Sequence, residues 1–120
     1  MRDTRVIFSQ NKKTDSGRHF GSRIVIAPDN SLFLTVGDRG DGDRAQNPFD
    51  HAGSVIRLNL DGSVPKDNPF FSGKHALSEI WSIGHRNPQG AIWNPLTGSI
   101  WTVSHGARGG DEINRPEAGK

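Results

Sequence analysis

The sequence predicts an all-β fold built from repeated, propeller-like sheet modules, and three observations predict it. The first is an internal repeat: residues 23–36 (RIVIAPDNSLFLTV) and 90–103 (GAIWNPLTGSIWTV) align without a gap at an offset of 67 residues. Pro28 falls on Pro95, Thr35 on Thr102 and Val36 on Val103. Repeated modules place corresponding residues in corresponding locations, so the same offset relates His19 to Arg86. The second is composition: 15 glycines and seven prolines against a hydrophobic share of 32% suit turn-rich sheet rather than packed helices. The third is a series of about seven short β-prone runs, each bounded by turn residues.

Taken in order, residues 5–10 (RVIFSQ) alternate and are expected as a strand, and 11–18 form a polar loop. Residues 24–26 and 32–36 are β-rich runs around Pro28-Asp29-Asn30-Ser31, a strong turn signal, and make a hairpin. Residues 37–50 (GDRGDGDRAQNPFD) hold too many chain breakers to form an element. Residues 55–60 (VIRLNL) alternate into the tight Asp61-Gly62 pair. Two prolines make 64–71 a connection rather than a central strand. Residues 79–83 are a short strand, and 75–82 allow at most one helical turn before β-formers resume. Residues 84–90 (GHRNPQG) read as a loop, the second hairpin turns at 94–98, and the polar tail 104–120 carries no closing structure. The 67-residue period exceeds a usual blade of ~40–50 residues; the insertions at 37–50 and 65–71 account for the excess. Two modules cannot close a propeller, which takes ~4–8 blades, so the chain reads as part of a larger one.

Composition removes several function classes. The 15 basic and 13 acidic residues are interspersed, net charge +2, so no patch suited to nucleic acid or a membrane surface stands out. No apolar run approaches the ~20 residues of a spanning helix. Without cysteine there are no disulfides and no thiolate metal sites. Met1 runs into RDTRVIF without a secretory pattern, which implies a cytoplasmic chain or a leader encoded upstream.

The residues able to carry chemistry cluster at the hairpin mouths. His19 (in GRHFGSRI) and Asp38 (in GDRG) flank the first hairpin, and antiparallel strands bring their outer ends together. A carboxylate accepting from one imidazole nitrogen fixes the tautomer and leaves the other nitrogen as a base; a hydrogen bond that merely ties a loop is the competing reading. Arg86, Asn87 and Gln89 surround Pro88 with hydrogen-bond donors suited to a carboxylate or polar ring, or else line an ordinary exposed turn. Residues 106–112 (GARGGDE) can turn carbonyls toward a hard cation. Residues 38–43 (DRGDGD) lack the spacing of a helix-loop-helix calcium site and read as solvated turn. Phosphate-loop, dinucleotide, HExxH and GxSxG motifs are absent. His51, His75 and His85 have no metal-ligand spacing, and Trp81, Trp93 and Trp101 read as core.

The set HFGSRIVIAPDNSLFLTVGDRG (19–40), VIRLNLDGSVPKDNPF (55–70), EIWSIGHRNPQG (79–90) and HGARGGDEIN (105–114) closely resembles the soluble PQQ-dependent aldose sugar dehydrogenases of the glucose/sorbosone dehydrogenase family. The resemblance covers nearly all of residues 1–120 and implies a partial domain, about two blades of a six-bladed, periplasmic β-propeller. It implies oxidation of aldose sugars to lactones with PQQ and Ca²⁺ as cofactors and an external electron acceptor. By position, His19 matches the general base, Asp38 the carboxylate that orients it, and Arg86 the residue that holds the quinone. Asn87 and Gln89 match neighbouring cofactor contacts. Gly106 and Ala107 match the pair whose carbonyls help hold the Ca²⁺ bound with the cofactor, and Glu112 a residue at a second, structural calcium. Ala107 stands where proline is common, and residues 47–52 and Ser54 are less family-like. Two rival readings remain at this level: a non-enzymatic propeller that binds a protein partner, and a calcium-dependent lactone hydrolase.

Overall fold

The computed structural model describes residues 3–120; the reading of the amino terminus at Met1 lies outside the described residues. Seven strands form two antiparallel sheets. In the first, β1 (Gly21–Ile26), β2 (Ser31–Val36), β3 (Ser54–Asn59) and β4 (Ile80–Ser82) follow one another in sequence order. In the second, β5 (Pro88–Asn94), β6 (Ser99–Ser104) and β7 (Glu112–Asn114) do the same. Both hairpins sit where the repeat placed them, and each carries a bulge at the same point. The register shifts between Gly21 and Ile24 in β1 and between Pro88 and Gly90 in β5. A bulge strengthens local twist, here at the mouth of each hairpin.

Four sequence readings are corrected. Residues 5–10 form no strand: Phe8 packs onto the face of the first sheet, so the segment covers that sheet instead of extending its edge. Within 37–50 a single helical turn, α1 (Gly42–Ala45), forms because Asp41 caps it, its side chain accepting from the Asp43 amide. Strand β5 begins at Pro88, inside the expected loop 84–90. The tail is not open: β7 pairs with β6, and the chain then returns to β4. There the Gly119 amide donates to the Trp81 carbonyl and the Ile83 amide to the Lys120 carbonyl, both at 2.8 Å. Residues 75–79 make turns and no helix.

Two apolar clusters flank the first sheet. Ala27, Phe33, Val55 and Ile100 pack between the sheets, with Trp81 and Trp93 against Phe33. Val36, Ile56, Leu58 and Ile80 pack on the opposite face beneath Phe8, Phe70 and Leu77. This double burial explains why β3 is buried at every position but its last. Arg57 runs through the inter-sheet side of this strand and is nearly covered. It ion-pairs with Asp29 at 2.8 Å and Asp67 at 3.0 Å, and its guanidinium stacks over Trp81 at 5.3 Å. The second sheet has one covered face only; Ile92, Val103 and Ile113 stay exposed on the other.

The sheets are joined by a seam of consecutive residues. Asp38 donates its amide to the Arg86 carbonyl (2.9 Å), and the Gly21 amide donates to Asn87 Oδ1 (3.3 Å). Thr35 Oγ1 donates to the Pro88 carbonyl (2.8 Å), and Arg23 Nε to the Gln89 carbonyl (3.1 Å). Thr35 is fully buried and its Oγ1 also accepts from the Arg23 amide. Its repeat mate Thr102 is equally buried, yet its Oγ1 has no partner among the described residues. Thr102 lies on the face turned toward the first sheet, beside Ala91 and Ile100, and it makes no contact like that of Thr35. Replacing Thr35 with valine keeps the shape and strands the Pro88 carbonyl, which should cost about 1–3 kcal/mol of unfolding free energy. Urea denaturation of the protein measures it, and a loss no larger than for an exposed Thr97→Val control would refute the seam's importance.

Candidate active site

The seam fixes the two hairpin mouths against each other, and the sequence-predicted residues gather there. His19 Nδ1 lies 2.6 Å from Asp38 Oδ1. Both side chains are largely buried, at 14% and 7% exposure. A carboxylate can only accept, so the proton sits on Nδ1 and Nε2 presents its lone pair. The same Asp38 oxygen accepts from the Gly40 amide at 2.7 Å, which leaves the carboxylate no freedom to swing away.

The backbone that presents the imidazole is strained. His19 has φ 55°, the left-handed region that non-glycine residues seldom enter and that concentrates at functional sites. Gly37 makes room for it, since any Cβ there would collide with the His19 carbonyl. The Gly37 amide also donates to the Phe20 carbonyl at 3.2 Å, completing the clamp around the histidine.

Arg86 stands on the other side of the seam. Its Nη1 donates to the carbonyls of His105 (3.0 Å) and Gly106 (2.9 Å), while Nε and Nη2 have no acceptor among the described residues. Two cavities meet at this side chain. One, of about 350 Å³, holds Arg18, His19, Asp38, Gly40 and Gln46 in its wall; the other, of about 360 Å³, holds Gly106, Ala107 and Glu112. Gly84 and Arg86 line both. The imidazole and the guanidinium thus share one cavity, and the glycine-rich loop shares the next.

Not every expected residue reaches these walls. Asn87 is buried, and its Oδ1 is taken up by Gly21 across the seam. Gln89 is exposed on β5, and its carbonyl serves Arg23. Neither lines the two cavities. Within 106–112 the Gly106 amide donates to Asp111 Oδ1 at 3.0 Å, closing the loop on itself. Glu112 opens β7, with Oε2 accepting from Asn114. Among the described residues no three His, Cys, Asp or Glu side chains converge on a common metal position. A cation beside Gly106 would therefore rely on backbone carbonyls and on oxygens from a bound ligand. In the wall of the His19 cavity, Arg18 and Gln46 are polar residues that sequence reasoning missed. Arg18 directly precedes His19, which was a signal; Gln46 follows a helical turn that only the fold reveals.

Two other histidines, His51 and His85, make structural contacts. Asn11 donates its amide to His51 Nδ1, and His51 Nε2–H donates to Glu79, whose carboxyl is held below its usual range by that bond. His85 Nε2 and Ser82 Oγ lie 2.7 Å apart, and burial pushes the imidazole down to about 4 despite the opposing pull of Glu112.

The chain as a whole is similar to known proteins. The model of the glucose/sorbosone dehydrogenase family matches residues 1–120. An aldose sugar dehydrogenase from Escherichia coli is 43% identical, over 98% of this chain and 32% of that protein. The apo-form crystal structure of a soluble aldose sugar dehydrogenase from E. coli superposes with a TM-score of 0.93 at 42% identity, covering 99% of this chain and 34% of that one. A PQQ-bound aldose sugar dehydrogenase from Streptomyces coelicolor superposes with a TM-score of 0.75 at 30% identity, over 85% of this chain and 29% of that one. The chain spans about a third of the length of these relatives. Its two sheets are two neighbouring blades of their β-propeller fold.

A pH prediction comes from His85. Its folded value lies below its unfolded one, so the unfolded chain binds the extra proton. The contribution is complete above about pH 6.5 and is lost as pH falls toward 4, amounting to about 3 kcal/mol. Unfolding free energies over that window should fall steeply, and a His85→Gln variant should flatten that limb. An unchanged slope in the variant would refute the assignment.

Proposed function

The chain belongs to the glucose/sorbosone dehydrogenase family, and from that premise we propose that it forms the part of a PQQ- and Ca²⁺-dependent aldose dehydrogenase that carries the catalytic base. The whole protein, on this reading, is a six-bladed propeller exported to the periplasm that oxidises aldoses to lactones and passes electrons to an external acceptor. The observation that carries the proposal is the His19–Asp38 contact at 2.6 Å in a cavity shared with Arg86.

The residues present fit the cofactor. PQQ is a planar anionic quinone, and Arg86 offers Nε and Nη2 with no protein acceptor in the wall common to both cavities. Gly106 and Ala107 would offer carbonyl oxygens to Ca²⁺ alongside the cofactor's own, and Glu112 would serve a second calcium. Asn87 and Gln89 would then support the cofactor through the loop they tie down. When bound, the quinone accepts the hydride and Ca²⁺ polarises its carbonyl.

The chain's own part is proton transfer and electrostatics. His19 Nε2 takes the proton of the anomeric hydroxyl as hydride leaves the anomeric carbon, so the sugar loses one proton and one hydride and becomes the lactone. Asp38 keeps Nδ1 protonated and stabilises the imidazolium that forms. Arg86 sets a fixed positive charge where negative charge develops, so little reorganisation accompanies the step.

The test is sugar oxidation with an artificial electron acceptor by the whole protein, reconstituted with PQQ and Ca²⁺. Changing His19 to alanine should lower kcat about 10²–10⁴-fold with PQQ binding retained. Asp38→Asn should lower kcat as well, by disturbing the tautomer. Wild-type turnover in the His19 variant would remove the proposed base.

A further inference from the structure

Arg18 is the charged residue in the His19 cavity that the proposed reaction leaves without a task. Its guanidinium has no hydrogen-bond or ion-pair partner among the described residues, although charged neighbours abound elsewhere in the chain. The residue is exposed at the rim of the cavity. The side chain lies across the bare face of Gly40, which has φ 84°; a Cβ there would come within 3.0 Å of the Arg18 Cζ. Gly40 in turn is held by Asp38 Oδ1, the oxygen that also holds His19. One carboxylate oxygen therefore fixes both the imidazole and the surface on which the guanidinium rests.

The charge balance of the cavity completes the argument. Among the described residues Asp38 is the single acidic group in this wall, and that carboxylate is committed to His19 and Gly40, while Arg86 and the exposed Arg18 both line it. A guanidinium offers five donors and no acceptor in a planar fork, which matches a carboxylate or phosphate better than a neutral hydroxyl. With Arg86 assigned to the cofactor, we propose that Arg18 reads an anionic substituent on the sugar. The preferred substrates are then acidic aldoses, uronic acids or sugar phosphates, rather than neutral ones. This rests on the sugar-oxidising reading above, and it places the anion and the reacting hydroxyl on one small molecule.

The test uses the whole protein loaded with PQQ and Ca²⁺ and compares galacturonate with galactose, and glucose 6-phosphate with glucose. Two readouts are taken, kcat/KM and binding by calorimetry. At least one acidic sugar should exceed its neutral counterpart, and Arg18→Gln should lower that ratio about tenfold or more. Arg18→Lys, which keeps the charge and loses the fork, should restore part of it. The galacturonate and phosphate arms identify which anion is read. An unchanged acidic-to-neutral ratio in Arg18→Gln overturns the proposal, as does a weakened PQQ titration in that variant, which would assign Arg18 to the cofactor. Binding needs no turnover: Arg18-dependent uronate binding without any oxidation would sustain the anion site and sink the dehydrogenase reading instead.

Discussion

Asp38 ties the junction between the two sheets to the candidate site. Its amide donates to the Arg86 carbonyl and so fastens one sheet to the next, while its Oδ1 accepts from His19 and from Gly40. A single residue, through its amide and its carboxylate, thus couples blade stacking to the orientation of the imidazole. Because the carboxylate is 7% exposed, the attraction to His19 is weakly screened and the geometry is stiff. The strained φ of His19 persists because these contacts over-determine it.

The seam around Asp38 also explains how a chain with a modest apolar share holds two sheets together. Apolar packing supplies the bulk attraction through Phe33, Ile100 and the paired tryptophans. The four hydrogen bonds from residues of the first hairpin to residues 86–89 supply register. Apolar contact alone is non-directional and would tolerate sliding; a buried hydroxyl aimed at one carbonyl does not. On the far side of the second sheet Ile92, Val103 and Ile113 leave an apolar face exposed.

This seam changes the meaning of the GHRNPQG segment. Its residues point in different directions: Arg86 into the cavities, Asn87 into the seam, and Gln89 outward. The motif works as a hinge pin between blades that presents one guanidinium toward the space where His19 also points. Arg86 reaches that space because its Nη1 is anchored on the carbonyls of His105 and Gly106, so the glycine-rich loop steers the guanidinium. The arrangement pairs a preorganised imidazole with a preorganised cation, which suits the proton abstraction proposed above.

The sequence by itself determined the β class, both hairpins and the meeting of His19 with Asp38, because turn residues and strand alternation act over short spans and an antiparallel hairpin brings its own ends together. It determined the kinship of His19 and Arg86 through the 67-residue repeat. Only the tertiary structure decided that residues 5–10 cover a sheet face, that the tail returns to β4, that Asn87 and Gln89 bind the seam, and that Arg18 rests on Gly40. Each of those depends on partners far along the chain, where local preference is silent and the competition for buried hydrogen bonds sets the outcome.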